Sequence, residues 1–313
     1  MKVSVRLLKE KDLLAADRIF RLAFGTFTGY PEPEKYGGDI DKIRTRWLAD
    51  PTAAFAAEID GELVGSIFAT NWGSIGYFGP LTVRPDLWEL GIAQRLLEPT
   101  MKLFAQWKTK HTGLYTFAHS PKHLALYQKY EFWPRFLTAI MAKSVIQKEP
   151  RAKVTYYSEV SAMEEAKLLG NFRELTNAIY RGFDVTREVI AVYNQGIGDT
   201  LVIWDDSGVA GFAVCHCGPG SEAGSDACYV KFGAVRPGPS AGRLFTFLLK
   251  ACEAFAASRG VEYLNASTNL GRHEAYQLML SSGFRTQILG VTMHRPNESA
   301  YHHPGVFVID DWR

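Results

Sequence analysis

Apolar and polar positions alternate from Val3 to Leu7, which predicts a strand, and the period then changes. Leu13, Ala16, Ile19, Phe20, Ala23 and Phe24 recur at helical spacing, with Asp12 placed to cap the helix. A polar, turn-rich stretch from Gly29 to Gly38 precedes a second helical segment around Ile40 to Leu48. Ala53 to Glu58 and Leu63 to Thr70 read as two strands joined at Asp60-Gly61, a strong two-residue hairpin signal. Tyr77 to Val83 predicts another strand, leading through Pro85-Asp86 into a long helix from about Gly91 to Trp107. A strand at Gly113 to Ala118, a helix at Pro121 to Tyr130 and a strand pair within Phe132 to Lys143 follow. The fold class is α/β, an α+β mixed-sheet plan.

The pattern becomes charged and Pro-interrupted at Lys148 to Lys153, a linker signal, and the second half then repeats the first. Helical signals cover Ala162 to Tyr180 and Val185 to Tyr193. A hairpin returns as Leu201 to Trp204 and Val209 to His216. Leu81-Thr82-Val83-Arg84-Pro85 is answered by Gly233-Ala234-Val235-Arg236-Pro237, and Leu126 to Phe132 by Leu278 to Phe284. Val83 to Val235 and Phe132 to Phe284 are separated by the same 152 residues. A shared register between two independent matches implies a duplicated domain. The expected division is a first domain at 1–147, a linker at 148–153, a second domain at 154–295 and a tail at 296–313. In that tail Val306 to Ile309 alternates, and the segment is expected to dock back on the fold with Trp312 as anchor, or to make a dimer contact.

Length agrees with duplication. The chain has 313 residues, more than the about 250–300 that one core usually holds. With 47% hydrophobic and 22% charged residues it is neither disordered nor fibrous. Its 35 basic and 33 acidic residues are too balanced for a dedicated nucleic-acid binder. No signal peptide or membrane span is legible, so a cytoplasmic protein with no membrane partner is expected, monomeric or homodimeric. Cys215, Cys217, Cys228 and Cys252 read as strand and core cysteines in a reducing compartment, with His216 on the opposite strand face. Adjacent His302 and His303 make a poor ligand pair, and no metal is expected.

The chemistry-bearing segment is Val83-Arg84-Pro85-Asp86-Leu87-Trp88-Glu89-Leu90-Gly91-Ile92-Ala93-Gln94. A strand ends and a helix begins on small residues. That leaves unpaired N–H groups and the positive end of a helix dipole open to an anion. Further on stands His119-Ser120-Pro121-Lys122-His123-Leu124-Ala125-Leu126-Tyr127-Gln128-Lys129-Tyr130-Glu131-Phe132. Together the two segments resemble the GNAT-type N-acetyltransferase superfamily, with its Gln/Arg-x-x-Gly-x-Gly/Ala loop and later Asn-x-x-Ala-x-x-Leu-Tyr-x-x-x-Gly-Phe. The resemblance covers residues 3 to about 143 and, more faintly, 154 to 295.

That resemblance implies an acyltransferase with acetyl-CoA as co-substrate and an amine, on a small molecule or peptide, as acceptor. It implies that Leu81, Thr82 and Val83 splay from the neighbouring strand and pair with the pantetheine arm. Glu89, Leu90, Gly91, Ile92, Ala93 and Gln94 would form the pyrophosphate loop, and Ser120 takes the place of an asparagine that bonds the CoA arm. Tyr127 matches the tyrosine that protonates the leaving thiolate, a role a phenol can fill by direct proton donation. Three positions depart from the family pattern. Trp88 stands where the family has Gln or Arg, Glu89 adds a negative charge, and Glu131 replaces the Gly before Phe132, which predicts a different helix exit.

The second copy keeps Asn269, Ala275 and Gly283-Phe284 but has lost the site. Arg243 and Phe245 stand in the places of Gly91 and Ala93, and Met279 in that of Tyr127. A fold without chemistry is expected there. His119 is a candidate base, Glu32, Glu34 and Asp39 candidate acceptor contacts, and Phe27, Tyr30, Tyr36, Trp72, Tyr77 and Phe78 candidate walls or core. The competing readings are a non-catalytic acyl-CoA sensor and an aminoacyl-transferring enzyme. The balanced charge counts against the latter.

Overall fold

A computed structural model describes residues 2–146 and 154–313, so the expected linker at 148–153 lies outside the described residues. The first half runs β1 (Val3–Leu7), α1 (Leu13–Thr28), α2 (Lys42–Ala49), β2 (Ala54–Ile59), β3 (Glu62–Trp72), β4 (Ile75–Val83), α3 (Ile92–Trp107), β5 (His111–Thr116), α4 (Pro121–Gln128) and β6 (Trp133–Ser144). The second runs β7 (Val154–Tyr156), α5 (Ala162–Ile179), α6 (Thr186–Gln195), β8 (Gly198–Asp205), β9 (Gly208–Gly218), β10 (Gly224–Val235), α7 (Ala241–Ser258), β11 (Tyr263–Asn269), α8 (His273–Ser281) and β12 (Arg285–Arg295). A short β13 (Val308–Ile309) closes the tail. The β2–β3 turn is built as its sequence demands, with Asp60 and Gly61 both at positive φ. Asp12 stands at the start of α1, but its carboxylate turns back to Arg6, at 2.6 Å, and to the Lys9 N–H, at 2.9 Å.

The strands join one mixed sheet in the order β1-β2-β3-β4-β5-β12-β6-β11-β10-β9-β8-β7. Residues 133–144 form one long strand rather than the expected pair, because the second strand comes from the other half. β12 crosses over to pair with β5, and β6 crosses to pair with β11. Val291 opposite Thr116 and Arg295 opposite Thr112 correspond, at the 152-residue offset, to Ala139 opposite Thr268 and Lys143 opposite Leu264. At the centre Thr138 faces Gly290, its own counterpart, so a pseudo-twofold axis passes between them. The exchange carries side chains with it. Met293 is buried in the core of the first half, and Ala139 and Met141 in that of the second. Burying a large apolar side chain contributes roughly 1.5–3 kcal/mol, which the two halves share reciprocally. Asn269 ties the crossing together, its Nδ2 donating to Thr138 and Thr292 at 3.2 Å each.

Strands β4 and β5 pair only from Ile75–His111 to Tyr77–Gly113 and then diverge. The counterpart, β10 and β11, pairs only from Ala227–Tyr263 to Tyr229–Asn265. In the second half the resulting cleft is filled. β13 pairs with Gly233 and Ala234 of β10, and the Asp310 N–H donates to Ser267 of β11 at 3.1 Å. The tail therefore docks as expected, and Trp312 is its buried anchor. A Cβ at Gly113 would overlap the Trp312 ring, so only glycine lets β5 receive it. The cysteines are free, three of them buried in this half, and His216 lies 3.7 Å from Glu188.

Glu131 corrects one expectation. Its φ of 64° is the left-handed conformation that Gly283, its counterpart, also adopts at 95°. The Phe132 N–H bonds the Tyr127 carbonyl at 3.2 Å, as Phe284 does Met279 at 3.1 Å. The helix exit is thus the same in both halves, with a side chain forced into the first. Left-handed backbone costs a non-glycine residue about 1–2 kcal/mol. Glu131→Gly is expected to raise unfolding free energy by roughly 1 kcal/mol, read as a higher urea midpoint. A lower midpoint would show that the exposed Glu131–Arg295 ion pair outweighs the strain.

Candidate active site

In the first half the β4–β5 cleft stays open and leads into a cavity of about 510 Å³. Phe78 to Val83 form one wall, and Tyr115, Thr116 and Phe117 face them. Aromatic residues of α1 and the following loop close the outer side: Phe20, Phe24, Phe27, Tyr30 and Tyr36. The second half supplies the floor and far wall through Glu222, Tyr229, Asn265, Gln287, Ile288 and Arg313. The loop that carries Tyr36 is strapped to that half, since Asp39 accepts the Ser225 N–H and the Asp41 N–H donates to Ser221 at 2.9 Å. Neither half alone encloses the cavity.

Tyr127 sits on this cavity with its ring 5.7 Å from that of Phe78. Burial raises its phenol above the usual tyrosine range, so it stays protonated and able to donate. One turn earlier on α4, at helical i,i+4 spacing, His123 also lines the cavity and packs at a tilt against Phe27, ring centres 4.8 Å apart. Burial, with Lys122 and His119 adding to it, lowers His123 to about 4 and keeps it neutral. His119 instead is exposed, outside the cavity. His123 was not singled out from the sequence. The i,i+4 relation of His123 to Tyr127 was the signal that could have found it.

Leu81, Thr82 and Val83 line the cavity; Glu89, Leu90, Gly91, Ile92, Ala93, Gln94 and Ser120 do not. The loop residues form a surface turn at the start of α3. Gly91 there has a φ of 77° and open space where a Cβ would stand. The first-turn N–H groups of α3 have no preceding turn to bond. Glu89 is exposed. Trp88 bonds the Val83 carbonyl through Nε1 at 2.8 Å, and the Lys122 ammonium stands 4.5 Å from its ring centre. A cation therefore does stand beside this loop, on the indole that replaces the family's Gln or Arg, although Trp88 itself supplies none. Ser120 is the buried residue before α4.

The matching turn of the second half is closed by helix. α7 begins at Ala241, so Arg243 and Phe245 are already helical and Phe245 is buried. Met279 is buried in the core there. Among the other candidates, Trp72 and Tyr77 are interdomain core beside Phe183 and Phe232. Glu32 pairs with Lys35, and Glu34 faces Arg18; both lie outside the cavity. His302 is buried against Tyr301 and Trp312, and His303 is exposed. Among the described residues no group of three or more His, Cys, Asp or Glu is arranged to hold a metal ion, and no helix is long and apolar enough to cross a membrane.

Residues 16–132 match the model of the Acetyltransferase (GNAT) family. No curated protein matches the sequence. Solved structures are similar over nearly the whole chain. A putative acetyltransferase from Pyrococcus horikoshii has 14% identity and a TM-score of 0.68, over 99% of this chain and 95% of that one. A GCN5-related N-acetyltransferase from Sphaerobacter thermophilus has 16% identity and a TM-score of 0.60, over 93% and 95%. A tandem GNAT protein from the clavulanic acid biosynthesis pathway has 11% identity and a TM-score of 0.58, over 94% and 98%. At such identities the likeness is one of fold. Residues 16–132 are thus similar to the GNAT acetyltransferase family, and the full length shares its fold with solved proteins that include a tandem GNAT protein.

Proposed function

We propose that the protein transfers an acetyl group from acetyl-CoA to an amine held in the cavity of the first half. One observation carries the proposal. Of two equivalent clefts, one is open beside a protonated tyrosine, while the other is filled by the chain's own tail. The residues fit acetyl-CoA. Val83 ends a strand that has parted from β5, which is where an extended pantetheine arm can lie. The open turn at Gly91 and the free N–H groups of α3 suit a pyrophosphate, with Lys122 nearby as a countercharge.

The amine nitrogen forms a bond to the thioester carbonyl carbon, the carbon–sulfur bond breaks, and the sulfur leaves with the electron pair. Tyr127 donates its phenolic proton to that sulfur, and the proton that leaves nitrogen as the amide forms restores the phenol. The amine must first lose a proton, and His123, neutral and in the cavity, is placed to relay it to water. The second half takes no chemical part. It supplies the floor of the cavity and a rigid backing. Release of CoA thiol by the wild type and by Tyr127→Phe, across a panel of amines, tests the proposal.

A further inference from the structure

The floor of the cavity carries a mixed cluster of charges. Lys42, Arg46, Lys231 and Arg313 stand around two carboxylates, Glu222 and Asp311, with a third, Glu188, on the far side beside His216. Both near carboxylates are fully engaged. Glu222 accepts from Arg46 Nε at 3.0 Å, Arg46 Nη2 at 2.8 Å and Lys231 Nζ at 2.9 Å. Asp311 accepts from Arg313 Nε at 2.7 Å and from the Tyr229 hydroxyl at 3.1 Å. Burial alone would raise Glu222, but Arg46 and Lys231 overcome it and hold its carboxyl well below the usual range.

What remains is cationic and faces the cavity. Among the described residues the Lys42 ammonium makes no hydrogen bond and has no carboxylate within 4.0 Å. Arg313 spends only its Nε on Asp311. Both line the cavity, and the groups around the Arg313 guanidinium on the other sides are the neutral phenols of Tyr36, Tyr115 and Tyr229. A half-buried cation without a direct counter-ion is unfavourable. Accordingly, burial, then Arg313 and Arg46, with Glu222 and Asp311 opposing, push Lys42 well below the usual lysine range. An anion brought by the ligand would remove that penalty.

We infer that the acceptor is an amine that also carries a carboxylate, bound between Lys42 and Arg313, with an apolar body against the aromatic wall of Phe20, Phe24, Phe27 and Tyr36. This assignment rests on reading the cavity as an acyl-transfer site. A carboxylate is a planar anion that matches the open edge of a guanidinium such as that of Arg313. The assignment also makes the tail a specificity element. The strand that plugs the second cleft ends by presenting Arg313 to the first.

Two near-isosteric acceptors test it, L-phenylalanine and 2-phenylethylamine, followed by CoA-thiol release. Wild type is expected to favour phenylalanine in kcat/KM by at least about tenfold, mainly through KM. Lys42→Met and Arg313→Met should each collapse the preference toward one, while Lys42→Arg retains it. Equal use of the two amines by wild type overturns the inference. So does a Lys42→Met that loses kcat yet keeps the preference, since Lys42 would then act as a base. A binding arm is independent of turnover: 3-phenylpropionate should raise the melting temperature of wild type and not of Lys42→Met. Phenyl phosphate protecting more strongly than 3-phenylpropionate would overturn the carboxylate assignment. Protection without turnover of any amine would leave the anion site standing and sink the acyl-transfer reading. Turnover of phenylethylamine with neither preference nor protection would do the reverse.

Discussion

Tyr127→Phe is expected to lower kcat by about 10²–10⁴-fold while leaving acetyl-CoA affinity and fold unchanged. The substitution removes one oxygen. The ring stays packed on Phe78, and among the described residues no protein group accepts or donates at the hydroxyl, so no partner is orphaned. Loss of a proton donor slows only the step in which the thiolate leaves. Because burial raises the phenol above the ordinary tyrosine range, wild type should show no alkaline loss of donor below about pH 10. Single-turnover thiol release beside calorimetric acetyl-CoA binding measures both halves of the prediction. A kcat within about threefold of wild type would remove Tyr127 from the chemistry and reassign it to the core.

The second large effect is acid lability centred on the tail. His111, His294 and His302 are buried in one cluster around Trp312, with His111 Nε2 and His294 Nδ1 3.1 Å apart. Burial lowers His111 to about 4. Burial together with His111 lowers His294 to about 3, and burial with Arg272 pushes His302 well below its usual range. A folded-state value depressed below the unfolded value of about 6.5 means that the unfolded chain binds more protons between the two. Stability therefore falls as the pH drops below about 6.5 and goes on falling to the folded values. At pH 5 His111 and His294 have each lost about 2 kcal/mol, roughly 4 kcal/mol together, with His302 and His123 adding in the same direction. Depressed carboxylates such as Glu222 lose stability only below about pH 4.5, outside this window. Urea unfolding followed from pH 7 to 5 should show an uptake of about three protons, and His302→Leu should remove about one. A slope of less than one proton would mean that the cluster is open to water.

Much of the fold was legible because hydrophobic period and turn chemistry are local. The Asp60-Gly61 turn, the helix from Ile92 and the 152-residue register all follow from residues close in sequence. The exchange of β6 and β12 was not legible. The two half-sheets offer equivalent edges at Thr116 and Thr268, so the same strand patterns satisfy pairing within a half or across the axis. Only the whole chain decides. The open cleft at Leu81 to Val83 and the placement of Tyr127 on it could be read from the two segments that resemble the family. Lys42, Glu222 and Arg313 could not, because they come from distant parts of the chain, Glu222 and Arg313 meeting Arg46 across 176 and 267 residues, and carry no motif. Glu131 shows the reverse error. Its side chain disfavours left-handed backbone, yet the Phe132–Tyr127 bond and the core beneath impose it.

The claim most open to refutation is that one cleft works and its twin is plugged by the chain itself. A structure of the protein crystallised with CoA addresses it directly. The filled β10–β11 cleft predicts one CoA per chain, lying between β4 and β5 with its pyrophosphate at Gly91, and β13 still paired to Gly233 and Ala234. CoA found between β10 and β11, with Val308 and Ile309 displaced, would contradict it.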